Sequence, residues 1–231
     1  MIGWLIGKVY EALFISLDVG VRRAHILSKI LLLAASFLMV AHGLWFSLVL
    51  LTVLCVIIVV GGFKYALKSM IIVSSIPAIW LALTGFIASY IIKGYVDVVI
   101  ILEVFGRTIA ISLSIALFIA SLSPYELSKI LWHLGFRNTC IIPIALWRLT
   151  PIALKDMVEA YNVQKLKGER VWKALAIATA SMLEHRDFML EYNFHKLSAS
   201  LVKPIPYKYD FSATLLLVFV SVALIMILLI Q

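Results

Sequence analysis

The chain has 231 residues, 64% of them hydrophobic and only 14% charged, with a formal net charge of +8. A soluble domain carries about 25% charged residues, so this composition excludes a free soluble protein and points to one embedded in a bilayer. The Lys and Arg residues do not alternate with exposed aromatics, so the basic excess is no argument for nucleic acid.

Cysteine use is equally plain. Cys55 and Cys140 lie far apart. They have the spacing of neither a metal site nor a disulfide framework, and both read as small apolar residues. The opening, MIGWLIGKVYEALFISL, carries Lys8 and Glu11 inside its apolar stretch and lacks a small-x-small cleavage site. It reads as an amphipathic helix on the inner leaflet rather than a signal peptide.

From Ile26 to Val60 the one charged residue is Lys29. That run is too long for a single span of about 20 residues. His42-Gly43 near its middle is the natural turn, which predicts a hairpin with spans at 26–41 and 44–61, ended by Gly61-Gly62, Lys64 and Lys68. Further spans are predicted at 69–92, 98–121 and 211–230. With the N-terminus inside, five crossings place residues 1–25, 62–68 and 122–209 in the cytoplasm, and those regions hold 17 of the 20 Lys and Arg. That is the positive-inside bias of a multi-pass cell-membrane protein with a cytoplasmic N-terminus.

The fourth predicted span contains Glu103 and Arg107, four apart and so on one helix face. Either charge alone would cost about 2.5–3.5 kcal/mol at mid-bilayer on insertion scales. A structural ion pair, or a polar contact to a partner helix, fits better than an ion pathway, because no further relay residues accompany the pair.

Residues 122–209 form the cytoplasmic block between a membrane segment at 1–121 and a last span at 210–231. Ser123 and Glu126 have the spacing of a capping box, with Pro124 in the first turn. The helix they open, PYELSKILWHLG, carries Leu127, Ile130, Leu131 and Leu134 as one stripe.

The stretch from Ile141 to Gly168 then changes from membrane-grade apolar sequence into an amphipathic charged helix. It would be roughly 42 Å long, less whatever Pro151 bends. Leu154, Met157, Val158 and Tyr161 take one face, and Lys155, Asp156, Glu159 and Asn162 the other. Lys165, Lys167 and Gly168 end it as a helix stop, with cations at the carbonyl end of the dipole. A third helix is predicted over about 171–197, with Val171, Leu175, Ala178, Met182, His185, Met189 and Tyr192 on one stripe and Lys196 near its end. Amphipathic helices with basic ends are ordinarily membrane-surface helices with solvated tips; a helix end can also dock into a groove on a soluble partner.

The order of these elements resembles the transmembrane T component of energy-coupling factor transporters, a family of cobalt, nickel and vitamin uptake systems. The resemblance rests on Arg107 in an apolar helix and on Ser123-Pro124-x-Glu126-Leu127. It continues through Pro143-x-Ala145-Leu146-x-Arg148-Leu149-x-Pro151 and Val163-Gln164-Lys165-Leu166-Lys167-Gly168. Near the start, Ser16-Leu17-Asp18 and Lys29-Ile30-Leu31 resemble that family's opening Leu-Asp segment and its Lys-Leu pair. The likeness covers most of the chain and is best from about 107 to 168. The family ends its two long coupling helices in Ala-Arg-Gly. Here the first reads Leu166-Lys167-Gly168, keeping the cation and the Gly. The second falls near Phe194-His195-Lys196-Leu197-Ser198, with Arg186 where the family often begins that stretch.

The resemblance implies an all-α polytopic membrane protein of about five transmembrane helices with long amphipathic cytoplasmic coupling helices, and no enzyme. It implies two ABC-type ATPase subunits, which would bind ATP and Mg. It also implies a membrane-embedded substrate-binding S component beside this chain in the lipid bilayer. ATPase coupling would fall to Lys165, Leu166, Lys167, Gly168, Arg186, His195 and Lys196, and structural roles to Glu103, Arg107, Pro124, Arg148 and Pro151. The chain lacks a Gly-rich loop ending in Gly-Lys-Ser/Thr, so the nucleotide would be held by other subunits and no cofactor or metal is expected here. The alternative is a membrane-embedded enzyme acting on lipid or isoprenoid phosphates. It would need clustered carboxylates for a divalent cation, whereas Asp156/Glu159 and Glu184/Asp187 are the nearest groupings. A stand-alone channel would need a polar stripe along a pore, and none is legible.

Overall fold

The computed structural model describes residues 2–14, 20–93, 95, 98–136, 139–140, 142–168, 173, 176, 180 and 208–230. Among the described residues it is all helix and turn, with no strand. Helix α1 covers Ile2–Phe14, and a 3-10 turn at Gly20–Arg23 precedes α2, Ile26–Ala41. Helix α3, Leu44–Ile58, widens into a π turn at Val59–Phe63. Then come α4, Leu67–Lys93, α5, Val98–Ser121, α6, Pro124–His133, α7, Ile142–Leu166, and α8, Phe211–Leu229. The predicted third cytoplasmic helix, 171–197, lies outside the described residues apart from isolated positions.

Among the described residues four helical stretches are long and apolar enough to cross a membrane: Leu44–Phe63, Leu67–Ile91, Val98–Ser121 and Phe211–Leu229. Helix α2 is apolar but has only 16 residues, roughly 24 Å against a hydrocarbon core of about 30 Å. The turn expected at His42-Gly43 is present. His42 ends α2, and Gly43 starts α3 at φ 127°, a backbone conformation that favours glycine.

The chain divides into two compact units, Met1–Tyr10 with Ser123–Tyr207, and Glu11–Leu122 with Lys208–Gln231. In the larger one α2 packs on α8, α3 and α5, and α4 packs on α5. Its core is drawn from α2 (Leu32, Ala35, Met39), α3 (Leu50, Leu54, Ile57, Ile58), α5 (Ala110, Leu113, Leu117, Ala120) and α8 (Leu217, Leu224), with Phe63 and Met70. Ser36, Ser114 and Ser221 are buried in the same bundle, and each donates to the carbonyl four residues back, to Leu32, Ala110 and Leu217. A hydroxyl satisfied within its own helix can face an apolar neighbour without an orphaned polar atom, and its small size lets helices approach.

In the smaller unit α6 packs on α7. Pro124 occupies the first turn of α6 as expected, but Ser123 makes no side-chain capping bond, so the serine half of the predicted capping box does not form. Glu126, its intended second member, is fully buried instead. The predicted apolar stripe of α6 is also displaced. Pro124, Glu126 and Ser128 are its buried residues, whereas Leu127, Ile130 and Leu131 are half-buried and Leu134 is exposed.

Candidate functional site

Three places in the structure gather the residues singled out by sequence. The first is the far end of α7. The helix runs 25 residues through Pro151, roughly 37 Å. Of its predicted polar face, Lys155, Glu159 and Asn162 are exposed and Asp156 half-buried, while Val158 of the apolar face is half-buried. Lys155 and Glu159 pair at 3.7 Å, both well exposed, an arrangement that adds only about 0.3–0.5 kcal/mol. The helix stops where the Lys167 amide donates to Val163 O at 3.1 Å and Gly168 turns left-handed at φ 70°. Leu166 is 88% and Val163 47% exposed, and Lys167 and Gly168 are exposed beside them. The tip therefore presents apolar surface and a cation together. Arg148 and Lys165 lie on this helix, their side chains outside the described residues. Arg186, His195 and Lys196 also lie outside the described residues.

The second place is a clasp at one end of the larger unit, centred on residues 20–29. Lys29 is 2% exposed. Its ammonium donates to Arg22 O at 2.9 Å and to Ser121 O at 3.0 Å, the latter being the last carbonyl of α5. A cation there complements the negative end of the helix dipole and satisfies a carbonyl that the helix itself leaves open.

Around this lysine the same turn collects other chain ends. The Asp210 amide donates to Arg23 O at 2.9 Å, and the His25 amide to Thr214 Oγ1 at 3.0 Å. Gly20 lies so close to the π turn that a Cβ on it would meet Gly61 O at 2.8 Å, and a Cβ on Gly61 would meet Val21 Cγ2 at 2.5 Å. Asp210 caps α8, accepting from the Ser212 hydroxyl at 2.6 Å and from the Ser212 and Ala213 amides. The Ser212 hydroxyl bond, then the Ala213 amide, hold its carboxyl below the usual carboxylate range. The beginning of α2, the end of α3, the end of α5 and the beginning of α8 are thus tied at one point. The chain leaves this unit at 122 and re-enters it at 208, immediately beside the tied residues.

The third place is the ion pair on α5. Arg107 Nη2 and Glu103 Oε1 are 2.5 Å apart, with side chains 36% and 35% exposed. Gly106 touches the start of α3, since a Cβ on it would meet Leu44 Cδ1 at 2.8 Å, and a Cβ on Gly43 would lie 3.7 Å from Arg107 Nη2. The pair therefore sits where the α2–α3 turn meets α5.

Sequence reading located the α7 tip and the Glu103–Arg107 pair. It quoted Lys29 but gave it no structural role, and it missed the Asp210 cap. A lone charge in an apolar run was the available signal for the first. For the second it was Asp before Phe-Ser-Ala at the head of the last span. Cys140 is buried and Cys55 half-buried, in keeping with their reading as small apolar residues. Among the described residues no group of three or more His, Cys, Asp or Glu is placed to hold a metal ion. Compared with protein-family models, with curated proteins and with solved structures, the chain matches none.

Proposed function

We propose that the chain is a membrane coupling subunit of the energy-coupling factor type. In this reading it crosses the cell membrane five times, α2 included, with its N-terminus in the cytoplasm. It passes ATP-driven motion from two cassette ATPases to a substrate-binding membrane subunit that takes up a vitamin or transition-metal ion. The observation that carries the reading is the exposed Val163–Leu166–Lys167–Gly168 tip of α7. A rod whose solvent end shows a bare leucine beside a lysine suits a groove on another protein better than it suits water. The clasp supports the same reading. Force applied to the chain at 122 or 208 would reach residues 20–29 directly and move the tied helices as a body rather than one at a time.

The test is co-purification of the full chain in mild detergent. The unaltered chain brings down a pair of cassette ATPases. Lys165→Glu/Lys167→Glu lowers their yield by about tenfold or more, the effect of removing ~1.4 kcal/mol of binding, while the amount of chain in the membrane stays the same. Undiminished co-purification by the double variant refutes the assignment of the tip.

A further inference from the structure

Helices α3 and α8 both pack on α2, and a groove runs between them along the bundle. Val56 and Val60 of α3 and Phe219 and Ile227 of α8 wall it, and the buried Ile57 and Leu224 form its floor. The hydroxyl of Thr52, at the end away from the clasp, already donates to Val49 O at 2.7 Å. The void measures about 400 Å³. It extends roughly 12 Å along α3, from Thr52 to Val60, and roughly 16 Å along α8, from Leu216 to Ile227. Its cross-section is therefore roughly 25–35 Å². The two ends differ in charge. Neither 44–63 nor 211–229 contains a Lys, Arg, Asp or Glu, and Lys64 and Lys208 stand just outside them. Both lysines are exposed, at the clasp, where α3 ends and α8 begins. The Lys64 ammonium lies 5.0 Å from the centroid of the Tyr65 ring, which is 70% exposed. Of the described acids at this end, Asp210 caps α8 and Glu11 accepts from Ser69 Oγ.

We propose that this groove seats one acyl chain of an anionic phospholipid, whose phosphate headgroup is held at Lys64 and Lys208. Width selects a chain over a helix. A helix with its side chains is about 10 Å across, a section of about 80 Å². Neither a foreign helix nor one from a second copy enters so narrow a slot, whereas an extended hydrocarbon chain does. The length of the groove also matches one leaflet, half of a hydrocarbon core of about 30 Å. Water is a poor occupant, because it wets the apolar walls at about 25 cal/mol for each Å². Charge then selects the head. A zwitterionic headgroup brings its own cation toward the two lysines, and an anionic one does not. An exposed Tyr65 beside a cation, where the apolar run ends, suits headgroup level. Tail and head thus meet complementary surfaces in one ligand, and only the clasp end can take the head. The inference needs only that α3 and α8 stand in a bilayer, and it is independent of the coupling reading.

The experiment delipidates the full chain in detergent and adds back phosphatidylglycerol or phosphatidylcholine with the same acyl chains. Native mass spectrometry counts the lipid retained after washing. One phosphatidylglycerol per chain is expected, held more tightly than phosphatidylcholine. Lys64→Gln/Lys208→Gln weakens its retention by about 25-fold, from about fivefold for each lysine near anionic lipid, and brings it to the level of phosphatidylcholine. Lys155→Gln, outside this unit, leaves retention unchanged. Val56→Trp fills the groove from its exposed wall and abolishes retention of both lipids, with helical circular dichroism confirming that the chain is folded. A phosphatidylglycerol carrying a diazirine on its acyl chain labels 52–60 and 216–227. Equal retention of the two lipids, no retained lipid, undiminished retention in the glutamine or tryptophan variant, or labelling spread evenly over α4 would each overturn the proposal.

Discussion

Replacing Lys29 by methionine tests whether the clasp holds the membrane bundle together. Met matches the lysine stem but carries no donor, so Arg22 O and Ser121 O, bonded at 2.9 and 3.0 Å, lose the ammonium. A buried carbonyl left without its partner costs about 1–3 kcal/mol. Loss of a cation at a helix C-terminus adds about 0.3–1 kcal/mol. Part of this is recovered because a buried ammonium no longer has to be desolvated. Water cannot easily take its place. The adjoining void, lined by Lys29, Ser36, Ser114 and Ser121 among others, measures about 10 Å³, at the lower limit for one molecule. The net expectation is a loss of about 2–4 kcal/mol. At about 2–4 °C per kcal/mol for a chain of this size, Tm falls by about 5–15 °C. Loss of helical circular dichroism on heating in detergent reads the transition. Lys68→Met, at an exposed site, is the control and shifts Tm little. A Lys29→Met chain that melts with the unaltered one refutes the argument, because the carbonyls must then be satisfied without the lysine.

The remaining predictions concern the same bundle. Gly61→Ala places a methyl 2.5 Å from Val21 Cγ2 and destabilises by about 1–3 kcal/mol, the cost of overpacking; adding Val21→Ala restores most of the loss in the same melting assay. Gly106→Ala meets only the end of the Leu44 side chain, at 2.8 Å, and is milder because that group can turn away. The cap at Asp210 gives a pH dependence. Its carboxyl is held below the usual range in the folded chain, so its contribution is complete above the unfolded value and disappears as pH falls through the folded one. Melting curves taken downward from pH 5 decline less steeply in Asp210→Asn, which keeps an amide oxygen for the cap without the titration; equal slopes would dismiss the cap.

The membrane helices were legible because their signal is long and one-dimensional. Long apolar runs with few charges, broken by His42-Gly43, Gly61-Gly62 and Ser123-Pro124, predict bounds within a few residues of α2 through α5 and α8. The ion pair on α5 was legible because four residues make one helical turn. The clasp was not, since it joins Arg22, Lys29, Gly61, Ser121, Asp210 and Thr214 from across the chain. No local spacing announces that Lys29 will meet the end of a helix ninety-two residues on. Helix α6 failed for a related reason. The pattern Ser-Pro-x-Glu specifies a capping box only while Glu126 is free to fold back onto the helix start. Glu126 is fully buried and Ser123 makes no side-chain capping bond, so the local pattern does not decide the packing of this helix start. The length of α2 was predicted, but its consequence was not: the α2–α3 turn meets α5 at Gly106 and Arg107 rather than at its first residue.

Lys29 and Arg107, both in the membrane bundle, receive opposite treatment. Lys29 is enclosed, 2% exposed and bonded to carbonyls of its own chain; nothing outside can reach it, so its contribution is to hold helix ends in place. Arg107 is paired with Glu103 yet 36% exposed, with a buried Nε left over. Paired with Glu103 and set against the α2–α3 turn at Gly43, Arg107 has its charge offset by its own helix, which is the cheaper way to keep a charge on an apolar helix.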